Sequence, residues 1–420
     1  MTTTPLNLSA LLKNAVVDAK GKQIGALADI IVKLNPNANP LLTGLVLRLS
    51  SRAVYVPVAL VMSMTAERID LASAKLDLRP FERREGEVLL RADVLGHRMV
   101  DIEHAAMVRA YDVQLENTAD GWAATGLDTR RRGLFGRDRG HEGRTVRAWT
   151  EFEPLIGHSD SYTARTPSPG LDRLKAPQLA DLIEEANARE QDELLAHVHG
   201  DPELEADVFE ELDDDDQAEL LSTRTTAQAA AILGRMRPDD AADAVMDLPQ
   251  DRRAEVLGLL PHTQRVKVTK LLGYHDATAG GLMGLDFLQF PPDTTLALAL
   301  TAVQHAGNLQ PEALSVLFSV DPEGRLVGAL GLAQALQAPE TTLLVHACEP
   351  EPVFAAPQDD IVDVTTRMAD FNLLVLPVLD PDGRILGVVT VDDALEAAIP
   401  EDWRRREPQP HTGSRPTTKP

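Results

Sequence analysis

Arg237-Pro238-Asp239-Asp240-Ala241-Ala242-Asp243-Ala244-Val245-Met246-Asp247-Leu248 is the stretch from which the rest of the chain can be read. Pro238 suits a first helical turn, where a missing N–H is harmless, and Asp239 and Asp240 favour the positive end of that helix. Asp239 and Asp243 then stand one turn apart on one face, while Ala242, Val245, Met246 and Leu248 form an apolar stripe. Two carboxylates so placed repel each other unless a cation sits beside them. The acidic face therefore reads as half of a divalent-cation site. The plain alternative is that Asp239, Asp240 and Asp243 complement a helix start and face solvent.

The stretch is one unit of a repeat of about twelve residues: Asp213–Arg224, Thr225–Met236, Arg237–Leu248, Pro249–Leu260 and Pro261–Leu272. Each unit opens on a cap or proline and closes on apolar residues, which predicts one short helix per unit in a superhelical all-α domain over 171–275. Asp213–Asp216 reads as a solvated cap rather than a site. Tyr274-His-Asp-Ala-Thr-Ala-Gly-Gly-Leu-Met283 ends the helices.

Beyond it, 285–338 and 348–399 repeat one pattern: a strand, a helix, two strands around a turn, and a closing helix. The turns are Asp321-Pro-Glu-Gly324 and Asp380-Pro-Asp-Gly383, and Leu373–Leu379 and Arg384–Thr390 read as paired buried strands. Thr390-Val-Asp-Asp393 opens the last helix, whereas the first half has Gly331-Leu-Ala-Gln334 at the matching place.

Before the helices, residues 15–60 read as strands. Val16–Gly25 forms a hairpin with Lys-Gly as its turn, followed by Leu27–Leu34, Thr43–Leu49 and Ala53–Val58. A weaker echo covers about 86–128: Val88–Leu90, Ala92–Asp101, Ala106–Leu115 and Trp122–Leu127. The expected fold class is thus multidomain α+β: a duplicated small β-barrel (1–156), a linker (157–170), the helical repeats (171–275), a duplicated α/β module (276–400) and a disordered tail (401–420). His97 and His104 read as surface residues without a partner. The basic cluster at 130–139 reads as a solvated loop.

The net charge of −24 is uneven: residues 171–275 hold 24 acids and 11 Lys/Arg, and residues 276–400 hold 18 and 3. Two such bodies repel when packed together, bound cations are the remedy, and nucleic acid is an unsuitable partner. The single Cys348 reads as a buried small hydrophobe and fits a reducing cytoplasm. No apolar run is long enough to span a bilayer and no signal peptide is visible, so a cytoplasmic protein is expected. No nucleophile–base pair or phosphate loop points to an enzyme.

Asp18…Gly21…Ile24-Gly25…Asp29-Ile30 resembles the PRC-barrel family, whose barrels serve as adaptors or RNA-processing modules. The repeats, Ala279-Gly-Gly-Leu-Met283 and the duplicated α/β module resemble the cytosolic N domain and CBS pair of MgtE-type magnesium channels. That likeness implies magnesium between the two modules. It carries over to Asp207, Asp239 and Asp243 on the helical side and to Asp393 and Glu396 on the last helix. Asn372 stands where that family has an acid. Thr390 and Asp393 match the signature with which CBS motifs hold the ribose of an adenine nucleotide such as ATP; Thr390 is then a helix cap, or a cap and a ligand at once. The resemblance further implies a homodimer through the CBS pair and, as no pore is read from this chain, a magnesium-responsive regulator. Alternatives are a nucleotide-responsive regulator and a subunit of a separately encoded membrane transporter.

Overall fold

A computed structural model describes residues 5–35, 38–49, 52–73, 76, 77, 79, 81–84, 87–129, 146–155, 170–307 and 309–399. The basic cluster at 130–139, the linker at 157–169 and the tail at 401–420 lie outside these residues. The chain forms two compact units, Met1–Asp216 and Gln217–Pro420.

In the first unit, β1 (Ala15–Val17) and β2 (Gln23–Asn35) form the expected hairpin, and β2 continues antiparallel against β3 (Ala38–Leu49) and then β4 (Arg52–Pro57). β5 (Val61–Met64) and β6 (Arg68–Leu71) return to lie beside β1. The second strand set departs from expectation. Glu87–Leu89 (β7) pairs with β2, and a π-helical turn at Leu90–Val94 interrupts the predicted Ala92–Asp101 strand, leaving only Arg98–Asp101 (β8). The predicted Ala106–Leu115 strand is two, Ala106–Arg109 (β9) and Asp112–Thr118 (β10), and Gly121–Asp128 (β11) touches β3 through Ala123 and Leu41. Among the described residues, strands of both sets therefore belong to one eleven-stranded sheet and one apolar core rather than to a separate barrel for each copy. The physical reason is size: a few short strands bury too little apolar surface to stand alone.

Asp29 joins the two sets. It sits at a bulge of β2, where the register shifts between Leu27 and Asp29, and it is buried. Its carboxylate accepts from the backbone N–H groups of Ile30 (2.8 Å), Arg91 (2.8 Å) and Ala92 (3.1 Å), so it holds the start of the π-turn. His104, expected to lack a partner, instead lies 3.1 Å from Asp101 Oδ2, beside Arg147.

The helical segment begins in this unit. Helices α1 (Ala176–Glu185), α2 (Ala188–Val198) and α3 (Pro202–Glu210) pack together, and Arg98 of β8 donates to Glu185 O (3.0 Å) and pairs with Glu190 (3.2 Å). The boundary between the units falls within α4 (Asp214–Thr223).

In the second unit, α5 (Thr226–Leu233), α6 (Pro238–Asp247), α7 (Gln250–Leu259) and α8 (His262–Leu271) place one helix in each twelve-residue repeat. Each packs on the helix two further along, α5 on α7 and α6 on α8. Side chains from later repeats satisfy the carbonyls that earlier helix ends leave open. Gln264 donates to Leu233 O (3.1 Å) and Met236 O (2.8 Å), and Arg252 to Leu221 O, Ser222 O and Arg224 O. Met246, expected in the apolar stripe, is exposed; Ala241 and Ala244 are buried with Ala242, Val245 and Leu248.

The duplicated module follows: α9 (Leu296–His305), β12 (Val316–Val320), β13 (Leu326–Gly331) and α10 (Leu332–Gln337), then α11 (Ile361–Phe371), β14 (Val375–Leu379), β15 (Ile385–Thr390) and α12 (Val391–Ala398). Gly324 and Gly383 both have φ +81°, the left-handed turn geometry that glycine adopts without strain. The two turns bond each other, Leu326 N to Gly383 O (3.0 Å) and Ile385 N to Gly324 O (3.2 Å), and this joins the halves. Cys348 packs at the edge of the first half's core, and burial pushes its thiol up to about 11, which suits a packed hydrophobe.

Burial pushes the Asp29 carboxyl up to about 6, against 3.8 for a free one. A carboxyl raised in the folded state adds stability that is fully present below about pH 4 and lost as pH rises through about 6, some ~3 kcal/mol in all. Asp29→Asn should therefore flatten this part of the stability profile, measured as the denaturant midpoint from pH 4 to pH 7; an identical slope in wild type and variant would refute it.

Candidate functional site

The site grows from the N-terminus of α6. Arg237 is the residue before the helix, with Pro238 in the first turn and no side-chain cap, so the free N–H groups face the first-turn acids. Arg237 Nε lies 2.5 Å from Asp240 Oδ2, and Nη1 donates to Asp393 Oδ1 at 3.1 Å. One guanidinium thus spans α6 and α12.

Asp239 is buried, at 7% exposure, and Asp393 at 9%. A methyl group on Gly284 would lie 3.7 Å from Asp239 Oδ2, so the segment after Met283 closes over this carboxylate. Burial raises the Asp239 carboxyl, and the nearby charge of Asp393 raises it further. Burial raises Asp393 as well, against the hydrogen bond from Thr390 and the charge of Arg237.

Thr390 is buried at the start of α12. Its hydroxyl donates to Asp393 Oδ2 (2.7 Å) and accepts from Asp393 N (3.3 Å), while Thr390 N donates back to the same carboxylate (3.3 Å). This is a reciprocal capping box with aspartate in the third position. Both groups matched to a nucleotide ribose are therefore engaged in the cap. At the matching place of the first half, Gly331 N donates to Gln334 Oε1 (3.3 Å).

Of the other expected ligands, Asp243, one turn beyond Asp239, is exposed, as is Glu396, one turn beyond Asp393 on α12. Both turns of α6 bury their alanine and valine side chains, and of the two acids Asp239 alone is buried with them. Asn372 ends α11 in the left-handed conformation (φ 53°, ψ 45°) with an exposed side chain. Asparagine tolerates that conformation, which gives a backbone reason for its presence where an acid was expected. Asp207 is exposed on α3, in the first unit.

Three cations at this contact have no motif in the sequence to mark them. Arg237 is one, immediately before Pro238. Lys267 pairs with Asp286 (2.5 Å) and Lys270 donates to Leu386 O (3.0 Å), both from α8 to the duplicated module. The available signal was arithmetic: 276–400 has three basic residues for 18 acids, and Arg325, Arg367 and Arg384 each pair within it. A further group lies in the first unit. Glu184, Asp213 and Asp216 each offer an oxygen within 4.8 Å of the others, and Asp213 N donates to Glu184 Oε1 (2.8 Å).

Residues 174–277 match the MgtE intracellular N domain, and residues 345–399 match the CBS domain. The magnesium transporter MgtE of Thermus thermophilus is 28% identical over 257 residues, 54% of this chain and 56% of that protein. The magnesium transporter MgtE of Enterococcus faecalis is 29% identical over 130 residues, 31% and 28% of the two chains. A crystal structure of the cytosolic domain of the Mg2+ channel MgtE in complex with ATP is 28% identical, covering 54% of this chain and 91% of that one at a TM-score of 0.51. The soluble part of a magnesium transporter shares the fold, at 24% identity over 57% of this chain and 91% of that one with a TM-score of 0.51. The chain spans about half the length of the Thermus thermophilus and Bacillus subtilis relatives. It therefore carries an MgtE-type N-domain and CBS module. No described helix is long and apolar enough to cross a membrane.

Thr390→Val keeps the shape but removes the cap, so it should destabilise the second unit by about 1–2 kcal/mol. Urea unfolding followed by exchange of the 385–398 amides checks this; a wild-type midpoint would show that the cap is dispensable.

Proposed function

We propose that the N-domain and CBS module is a magnesium-responsive regulatory unit, in which Asp239 of α6 and Asp393 of α12 hold the ion. The observation that carries this reading is the burial of two carboxylates near enough that the charge of one raises the other. The donor set suits a hard cation: only oxygen ligands, few of them, with solvent-facing Asp243 and Glu396 placed for outer waters. Soft ligands are absent from the set, which disfavours zinc and copper. The likeness to proteins named magnesium transporters and to the cytosolic domain of an Mg2+ channel supports the same ion.

Such a unit works by differential affinity. A cation that binds only when α6 lies against α12 favours that arrangement by its preference for it. The output is a contact made by the exposed helices of the CBS pair, where Leu298, Leu336, Val362, Phe371 and Leu395 are solvent-facing. We assign that face to a second copy of the chain, and the regulated target to a membrane magnesium transporter. The N-terminal sheet fits an adaptor role of PRC-barrel type, and cytosolic placement follows the named domain of the channel. A second reading, an adenine-nucleotide sensor, draws on the ATP complex of that relative and on Thr390 and Asp393. It would require the capping box to share its groups with a ribose.

Magnesium titration of the full chain separates these readings. Magnesium at a hundredfold its Kd should stabilise wild type by about 2.7 kcal/mol, seen as a rise in melting temperature, with a smaller radius of gyration by small-angle scattering. Asp239→Asn should abolish both. Melting and dimensions indifferent to magnesium but responsive to ATP would transfer the assignment to the nucleotide.

A further inference from the structure

We propose that Arg237 is a built-in counter-cation that latches α6 to α12 without any metal, so that the metal reinforces a docking already present. This deepens the magnesium reading and rests on it only for the rescue step of the test below.

Asp239, Asp240 and Asp393 converge on a single guanidinium. Asp240 and Asp393 each contact it, and Asp239 feels its charge. Asp392 adds a further negative charge next to Asp393. Arg237 is placed for this by the chain itself. It precedes Pro238 with an extended backbone (φ −55°, ψ 145°), so its side chain leaves at the mouth of the helix instead of along its flank. The planar fork reaches two carboxylates on two helices at once, which a lysine ammonium, as a point charge, does less well.

Two features separate this latch from ordinary surface pairing. Asp393 is buried, and Arg237 is only 21% exposed, so solvent screens the pair weakly. Its loss would also remove, from a covered site, the cation whose charge acts on both Asp239 and Asp393, the expensive outcome for buried charge. Lys267 and Lys270 support the same docking from α8, at Asp286 and at the Leu386 carbonyl. A metal that took Asp393 through Oδ1 would have to displace Arg237 Nη1. The guanidinium would then retain Asp240.

Amide hydrogen exchange on the full chain tests the latch, comparing wild type, Arg237→Gln and Arg237→Lys in chelator and in excess magnesium. In chelator, wild type should protect 238–247 and 391–398. Arg237→Gln should exchange there about tenfold faster, with Arg237→Lys between the two. Strands 316–331 should exchange alike in all three, which checks the fold. Wild-type protection of Arg237→Gln in chelator would overturn the latch, and so would an absence of protection in wild type. Restoration of Arg237→Gln by magnesium is the expected rescue. Failure of that rescue, with wild type also blind to magnesium, would leave the latch standing and remove the magnesium reading.

Discussion

Burying one carboxylate near another is the constraint on which the second unit depends. Like charges oppose each other more strongly the less water screens them. The segment 276–400 cannot meet that demand itself, because its three arginines are engaged in its own turns and helix starts. The helical repeats supply the positive charge, through Arg237 at α12, Lys267 at Asp286 and Lys270 at a carbonyl of β15. The acidic character of both modules, taken as an average, hides this. Repulsion is a property of net charge at a distance, whereas docking is decided by the few side chains at the contact.

The same logic of local satisfaction runs through the molecule. Asp321 and Asp380 each accept two backbone N–H groups in their turns, which shapes the tips that bond each other. Arg252 and Gln264 close helix ends belonging to earlier repeats. In the first unit, Asp29 holds a π-turn supplied by the other strand set, and Arg147 gathers Asp101, Glu103 and Glu151. Polar groups buried in this way specify which surfaces meet, while the apolar clusters supply most of the driving force.

A site in which an arginine already neutralises part of the acid does not need metal in order to close. Under the magnesium reading proposed above, metal would act as a second counter-charge whose effect is graded by what the guanidinium already contributes. Asp393 carries two duties together, cap partner of Thr390 and partner of Arg237, and the proposed cation would draw on the same carboxylate. Any ligand at α12, metal or nucleotide, must therefore work through that residue's existing bonds.

Local features were determined by the sequence alone. Thr225, Pro238, Pro249 and Pro261 mark helix starts because caps and prolines act within one turn, and Gly324 and Gly383 mark turns because only their own backbone is at issue. Thr390 reads as a cap for the same reason. Tertiary structure alone decided which acids are covered. Asp239 and Asp243 are equivalent in a helical pattern, but Asp239 is the one buried, beside the Gly284 segment. It alone decided that Arg237 meets Asp393, 156 positions away, and that strands of two apparent copies share one sheet. These outcomes depend on how whole elements pack, a long-range burial problem that no periodicity or cap residue encodes.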